Sequence, residues 1–141
     1  MKIKFLFSLS LLAFLLACSS SNDSNVTGDV IAKINGAQKK YQSSVTGFFN
    51  AADEYVLRME ATNPNDENEY ISFDFAQGQT GNNILSYFFY KQNSSNVYFP
   101  NSGVITYVEV NDGHKLKGTF SGTFLNQNST KTIVGSFDIH Y

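Results

Sequence analysis

The sequence predicts an all-β domain. Three observations carry this prediction: apolar and polar residues alternate with period two in almost every segment after the N-terminal region, turn-forming residues separate these segments, and helical periodicity is sustained nowhere. The polar breaks imply about eight to ten strands of ordinary length. An antiparallel two-sheet sandwich is the first expectation, and a closed or partly closed β-barrel is the alternative.

The N-terminal region has the features of an export signal. Lys2 and Lys4 precede an apolar stretch, residues 5–16, which is shorter than the roughly 20 residues that cross a membrane. Leu15-Leu16-Ala17-Cys18 resembles the lipobox of bacterial lipoproteins, in which the cysteine becomes the first mature residue. The resemblance implies that fatty acyl chains such as palmitate are attached to Cys18. An ordinary cleaved signal beside an incidental cysteine is the alternative.

The chain then divides into three parts. Residues 1–17 are the predicted signal peptide, residues 18–28 are the lipidated cysteine with a polar tether, and residues 29–141 form a single domain. Cys18 is the single cysteine, so the core has to be held by packing. The formal charge of −2 falls to about −4 once Lys2 and Lys4 are removed, which argues against nucleic acid as a partner.

Two dipeptides with turn chemistry mark hairpins in the predicted domain. Asn35-Gly36 and Asp112-Gly113 each lie between two strand-like segments, and both tolerate the positive φ angles of type I′ turns. Strand faces follow from the alternation. The residues predicted to share an apolar face within their strand are Tyr55, Leu57, Met59 and Ala61, then Ile71, Phe73 and Phe75, and less cleanly Val104, Thr106, Val108 and Val110.

The last third of the chain combines glycine with phenylalanine. Along one strand Leu116, Gly118, Phe120, Gly122 and Phe124 share a face, and Ile133, Gly135, Phe137 and Ile139 do so along the closing strand. Because glycine weakens a strand by itself, these glycines are expected to make room for a phenylalanine ring or to let the sheet coil.

The same region resembles a known family. The segments 118–124 (GTFSGTF) and 135–138 (GSFD) are similar to the closing strands of a family of small lipoproteins of the Bacteroidota, and residues 34–42 (INGAQKKYQ) are similar to its first hairpin. The resemblance implies a lipoprotein with an all-β fold. No catalytic residue is established for that family, so the resemblance transfers none.

An aromatic segment is the most suggestive binding feature. In residues 84–100 (ILSYFFYKQNSSNVYFP), aromatic residues occur on both faces of adjoining strands, so a strip of rings is expected to be exposed. Tyr87, Phe89 and Tyr98 are the candidate ligand-binding residues, for a glycan or an envelope protein. Burial of the aromatic residues on both faces is the alternative.

The sequence gives little support for a catalytic site or a metal site. Asp138 and His140 share a strand face and are the best candidates for a hydrolase, but no nucleophile motif accompanies them. Segment 63–69 (NPNDENE) offers hard oxygen ligands without the spacing of a calcium loop, and no zinc set is present. We therefore expect no enzyme activity, no metal and no cofactor.

These observations predict an envelope lipoprotein that acts by binding. Ser19 after the lipidated cysteine favours the outer membrane over the inner one, with the periplasmic and surface faces both open. A glycan- or protein-binding module is the first expectation for the function. The alternatives are a small-molecule carrier, which needs a barrel cavity of roughly 300 Å³ or more, and a hydrolase.

Overall fold

The computed structural model describes residues 28–127 and 129–141, and within these ranges the chain forms ten strands. The predicted signal peptide, Cys18 and all of the tether except Gly28 lie outside the described residues. The strands are β1 (Gly28–Ile34), β2 (Ala37–Phe49), β3 (Tyr55–Asn63), β4 (Asp66–Phe75), β5 (Gly81–Asn82), β6 (Ser86–Asn93), β7 (Asn96–Pro100), β8 (Ile105–Asn111), β9 (Lys115–Asn126) and β10 (Ser129–His140).

The all-β prediction is confirmed, and of the two predicted architectures the structure has the closed barrel. Eight of the described strands form an antiparallel ring in the order β1, β2, β3, β4, β6, β7, β9 and β10, and β10 pairs with β1 to close it. Two strands pair with the same edge of β9: β8 pairs with its first half and β7 pairs with its second half. Strand β5 pairs with β8.

The alternation of the sequence places one face of each strand inside the barrel. The predicted apolar faces of β3, β4, β9 and β10 all supply buried core residues, although Tyr55, at the start of β3, is exposed. Five phenylalanine rings meet in the middle with centroid separations of 5.0 to 6.4 Å. These rings belong to Phe73, Phe88, Phe120, Phe124 and Phe137. Hydrophobic burial of this kind is the main stabilising contribution to such a domain.

Glycines make room for two of these rings, as the sequence predicts. Gly135 lies opposite Phe120 in the β9–β10 pair, and a Cβ atom there would collide with Cζ of Phe120. Gly118 lies opposite Phe137, and its Cβ would be 2.6 Å from Cζ of that ring and would also collide with the backbone oxygen of Tyr107. Since real Cβ atoms do not approach so closely, any larger residue at either position displaces a core ring.

Both predicted hairpins are present, but their turns differ. Asn35 and Gly36 have φ angles of 48° and 85°, as a type I′ turn requires. At the second hairpin Gly113 has a φ of 90°, whereas Asp112 does not enter the left-handed region. Instead, Oδ1 of Asp112 accepts hydrogen bonds from the backbone N–H groups of His114 and Lys115, at 3.0 and 2.8 Å. This is an Asx-type turn rather than the type I′ turn that the dipeptide predicted.

Within residues 28–127 and 129–141 there is no helical segment with the length and hydropathy needed to span a lipid bilayer.

Candidate functional site

Aromatic side chains line part of the outer wall of the barrel. Tyr70 of β4, Phe89 of β6 and Phe99 of β7 face outward on successive strands, and we call these three residues the outer strip. The ring centroids of Tyr70 and Phe89 are 5.7 Å apart, and those of Phe89 and Phe99 are 6.2 Å apart. Phe99 is 58% exposed, and Leu125 opposite it on β9 is also exposed. The outer strip is therefore a continuous aromatic surface that solvent reaches.

A groove lies on the same wall. It has a volume of about 350 Å³ and spans β3 and β4, with the end of β2 on one side and the start of β6 on the other. We call it the outer groove. Its walls and floor consist of Phe48, Phe49, Asn50, Ala51, Val56, Arg58, Asp74, Ser86 and Tyr87.

An ion pair lines the outer groove. Nε and Nη2 of Arg58 donate to Oδ1 and Oδ2 of Asp74 at 2.7 and 2.8 Å, in the bidentate geometry that suits a guanidinium and a carboxylate. The Asp74 side chain is 4% exposed and that of Arg58 is 40% exposed. The hydrogen bonds from Arg58 to Asp74 raise the pKa of Arg58, so the guanidinium stays protonated. The guanidinium also lies 4.9 Å from the ring centroid of Phe48.

A β-bulge turns Tyr87 outward beside this pair. Ser72 pairs with Phe89 and Asp74 pairs with Ser86, so β6 contains one more residue than β4 over this interval. Tyr87 lies within the extra stretch, has a φ of 49° and is 78% exposed. A bulky side chain rarely adopts this left-handed conformation, and bulges often reorient a side chain near a functional site.

A second polar site occupies one end of the barrel interior. Oε1 of Glu69 accepts hydrogen bonds from Lys39 at 2.7 Å, Tyr41 at 2.9 Å and Tyr90 at 2.7 Å. Oε2 accepts from Lys39 at 2.8 Å and from Asn63 at 2.6 Å. We call these five residues the Glu69 cluster. The Glu69 side chain is 5% exposed, and its two oxygens accept five hydrogen bonds, which offsets the cost of burying the charge.

Tyr98 extends the polar end beside the Glu69 cluster. Its hydroxyl donates to Oε1 of Gln92 at 3.2 Å and lies 3.4 Å from Oγ of Ser129. Its ring centroid is 5.7 Å from that of Tyr90, and Nζ of Lys131 lies 5.1 Å from the same centroid. Tyr98 is thus a buried member of the barrel interior.

The electrostatics of the Glu69 cluster favour a fixed charge distribution. Burial raises the pKa of Glu69, but the hydrogen bonds from Lys39, Tyr90, Asn63 and Tyr41 together outweigh burial and hold that pKa below its ordinary value. Burial and the nearby carboxylate raise the pKa of Tyr41 and of Tyr90 far above the ordinary value for tyrosine. Glu69 therefore accepts and the tyrosines donate at every physiological pH.

The structure separates the three candidate ligand-binding residues. Tyr87 forms part of the outer groove, Phe89 belongs to the outer strip, and these two lie on the same outer wall. Tyr98 points into the barrel and is 4% exposed, so the sheet itself separates it from the other two. A site on the outer wall therefore contains Tyr87 and Phe89 without Tyr98.

The catalytic and metal candidates have other contacts. Oδ1 of Asp138 lies 2.9 Å from Nζ of Lys115 in an ion pair, and His140 is exposed near the end of β10. In the polar turn, Asp66 and Glu67 are exposed, whereas Glu69 points inward to its cluster. Among the residues that the structure describes, no group of three or more His, Cys, Asp or Glu side chains could hold a metal ion.

Two features of the site were missed by reasoning from sequence. Glu69 was considered only as part of a charged turn, yet it has the same strand phase as Ile71, Phe73 and Phe75, which marks it as inward-facing. The Arg58–Asp74 pair had no sequence signal, because the two residues meet only through the pairing of β3 with β4. Although Asp74 and Ser72 lie on the outward phase of β4, both are buried, and Arg58 covers Asp74.

Comparison of the chain with protein-family models, with curated proteins and with solved structures finds no match in any of the three.

Replacing Glu69 with glutamine tests the electrostatic role of the Glu69 cluster. At neutral pH we expect Glu69→Gln to lower the free energy of unfolding by about 1–3 kcal/mol, because charge-assisted hydrogen bonds are lost while the shape is kept. The native pKa of Glu69 lies below its unfolded-state value, so its contribution is present above the unfolded-state pKa and is lost as the pH falls through the native pKa. Urea unfolding at a series of pH values measures both effects.

The matched control is Glu67→Gln, which removes an exposed carboxylate two residues away on the same strand. We expect the control to change the free energy of unfolding by no more than about 0.5 kcal/mol. The difference between wild type and Glu69→Gln should shrink as the pH falls into the acid range. A difference that stays constant across that range would contradict the assignment.

Proposed function

We propose that this chain is a cell-envelope lipoprotein, anchored through Cys18, whose barrel domain binds a glycan or a protein on its outer wall and catalyses no reaction. One observation carries the proposal: aromatic rings fill the middle of the barrel, while further aromatic rings are exposed on the wall formed by β4, β6 and β7. Exposed aromatic side chains grouped on one surface are typical of interaction sites.

The packing of the interior favours the outer wall over the carrier alternative. The five phenylalanine rings lie in mutual contact, with the Phe88 and Phe120 centroids 5.0 Å apart. A ligand site inside a barrel needs roughly 300 Å³ or more, and a ligand could enter the space between these rings only by displacing them. A carrier would thus have to use the polar end, where the Glu69 oxygens already accept five hydrogen bonds.

The contacts of the catalytic candidates support a binding role. A general base must be free to take a proton from a substrate, but the Asp138 carboxylate is engaged by Lys115. The Glu69 cluster contains groups that could transfer protons, yet the pKa shifts of Glu69, Tyr41 and Tyr90 keep each of these three groups in one protonation state. These observations favour a rigid binding surface over a hydrolase.

The anchor is tested by replacing the proposed acylation site. When cells that express wild type or Cys18→Ser are labelled with radioactive palmitate, we expect label in the wild-type protein and none in the variant, because only the thiol accepts the lipid. Wild type should also stay in the outer-membrane fraction after a high-salt wash, whereas the variant is released. Equal incorporation in both proteins, or none in either, would contradict the anchor.

The outer wall is tested with Phe99→Ala in the full-length protein. Immobilised wild-type protein should retain a defined component of solubilised envelope extract, and the variant should retain about ten-fold less of the same component, since exposed aromatic rings contribute strongly at binding surfaces.

The matched control is Ile105→Ala, because Ile105 is 67% exposed on β8, outside the outer strip. We expect this variant to retain the component at the wild-type level. Equal retention by Phe99→Ala and wild type, or no retention above bare resin by wild type, would overturn the outer-wall proposal.

A further inference from the structure

The outer groove is built differently from the outer strip. The strip is purely aromatic, whereas the groove joins aromatic side chains to a buried carboxylate, a half-exposed guanidinium and a hydroxyl, those of Asp74, Arg58 and Ser86. Its volume of about 350 Å³ lies in the range of small-molecule sites, which combine apolar walls with a few convergent polar groups. This composition suits a small ligand, or one unit of a larger ligand, that has both an apolar face and polar edges.

The charge in the outer groove is balanced. The Arg58 guanidinium and the Asp74 carboxylate neutralise each other through two hydrogen bonds of 2.7 and 2.8 Å. An anionic ligand would have to compete with Asp74 for the guanidinium, and a cationic ligand would have to compete with Arg58 for the carboxylate. The electrostatics of the groove therefore favour a ligand without net charge.

Hydrogen-bonding capacity remains after the ion pair has formed. Asp74 engages Nε and Nη2 of Arg58, whereas Nη1 makes no hydrogen bond with any residue of the described ranges. Ser86 lines the same space, and its hydroxyl can both donate and accept. Donors and acceptors thus lie side by side, which is the arrangement that suits hydroxyl groups, since a hydroxyl both donates and accepts.

Tyr87 supplies a ring for the apolar face of the ligand. It is 78% exposed and has a φ of 49°, so the bulge holds an aromatic side chain in solvent in a conformation that costs free energy. Packing of the core does not require this placement, because the neighbouring Phe88 already fills the interior. An aromatic ring held beside groups that bind hydroxyls presents the two kinds of contact that a sugar ring makes.

We infer that the outer groove binds a pyranose unit of an uncharged glycan, with its apolar face stacked on Tyr87 and its hydroxyl groups hydrogen-bonded by Arg58 and Ser86, while Asp74 holds the guanidinium in place. The inference rests on the proposed binding function and names the ligand class of one part of the outer wall. Phe48 also lines the groove, and its ring centroid lies 4.9 Å from the Arg58 guanidinium.

The test uses the full-length protein in a detergent without a sugar headgroup. Maltohexaose, cellohexaose and mannohexaose serve as uncharged probes and an oligogalacturonate as the anionic probe, with saturation-transfer NMR and titration calorimetry as readouts. We expect at least one uncharged probe to bind and to bind more tightly than the oligogalacturonate. Tyr87→Ala should weaken that binding by about ten-fold, whereas Tyr87→Phe, which keeps the ring, should stay within about three-fold of wild type.

The control variant is Tyr107→Ala, because Tyr107 is an exposed tyrosine of β8, outside the outer groove. It should bind the probe as wild type does, and far-UV circular dichroism should show the same unfolding midpoint for Tyr87→Ala, Tyr87→Phe and wild type within about 3 °C. The inference is overturned if no uncharged probe binds, if the anionic probe binds more tightly, or if Tyr87→Ala binds as wild type does. If envelope capture still depends on Phe99 in that case, this inference alone has failed and the binding function stands.

Discussion

Two phenylalanines that pack against glycines across the β9–β10 pair determine the interior of this barrel. Phe120 lies against Gly135 and Phe137 against Gly118, where a Cβ atom would collide with the rings. With the rings lying close to the backbone of β9 and β10, Phe88 of β6 can reach them, with its centroid 5.0 Å from that of Phe120. The barrel is thereby filled across its middle, and dense packing of this kind accounts for much of the stability of a domain without a disulfide.

Among the described residues, the buried carboxylates lie at two places outside the filled middle of the barrel. One is the end of the barrel, where the buried carboxylate of Glu69 accepts hydrogen bonds from three strands and holds that end together. The other is the outer wall, where the bulge in β6 presents Tyr87 beside the Arg58–Asp74 pair. At the first site the hydrogen-bonding capacity of Glu69 is used by its own neighbours, whereas the second site keeps an exposed ring and free hydrogen-bond donors. This difference in free hydrogen-bonding capacity is the physical reason for placing ligand binding outside the barrel.

The sequence predicted local features well and long-range ones less well. Alternation identified the inward faces of β9 and β10, and the expectation that their glycines make room for phenylalanine is confirmed. Sandwich and barrel could not be separated, because closure depends on the pairing of β1 with β10, whose partners are 99 to 111 positions apart in the chain. For the same reason, the Arg58–Asp74 pair could not be predicted from the sequence. Tyr98 was grouped with Tyr87 by its position in an aromatic segment, but strand phase places its side chain on the opposite face of the sheet.

The packing of Phe120 against Gly135 can be measured with a double-mutant cycle of Gly135→Ala and Phe120→Leu, using Gly103→Ala as a control because its Cβ would meet nothing within 4 Å. Glycine-to-alanine changes without steric conflict raise the free energy of unfolding by about 0.4–1 kcal/mol, so a decrease in this free energy at position 135 would be specific to the crowding. We expect Gly135→Ala to lower the free energy of unfolding by about 1–3 kcal/mol, and we expect the double variant to lose at least about 0.5 kcal/mol less than the sum of the two single losses. Strictly additive losses in the free energy of unfolding, or no loss in Gly135→Ala, would contradict the packing of Phe120 against Gly135.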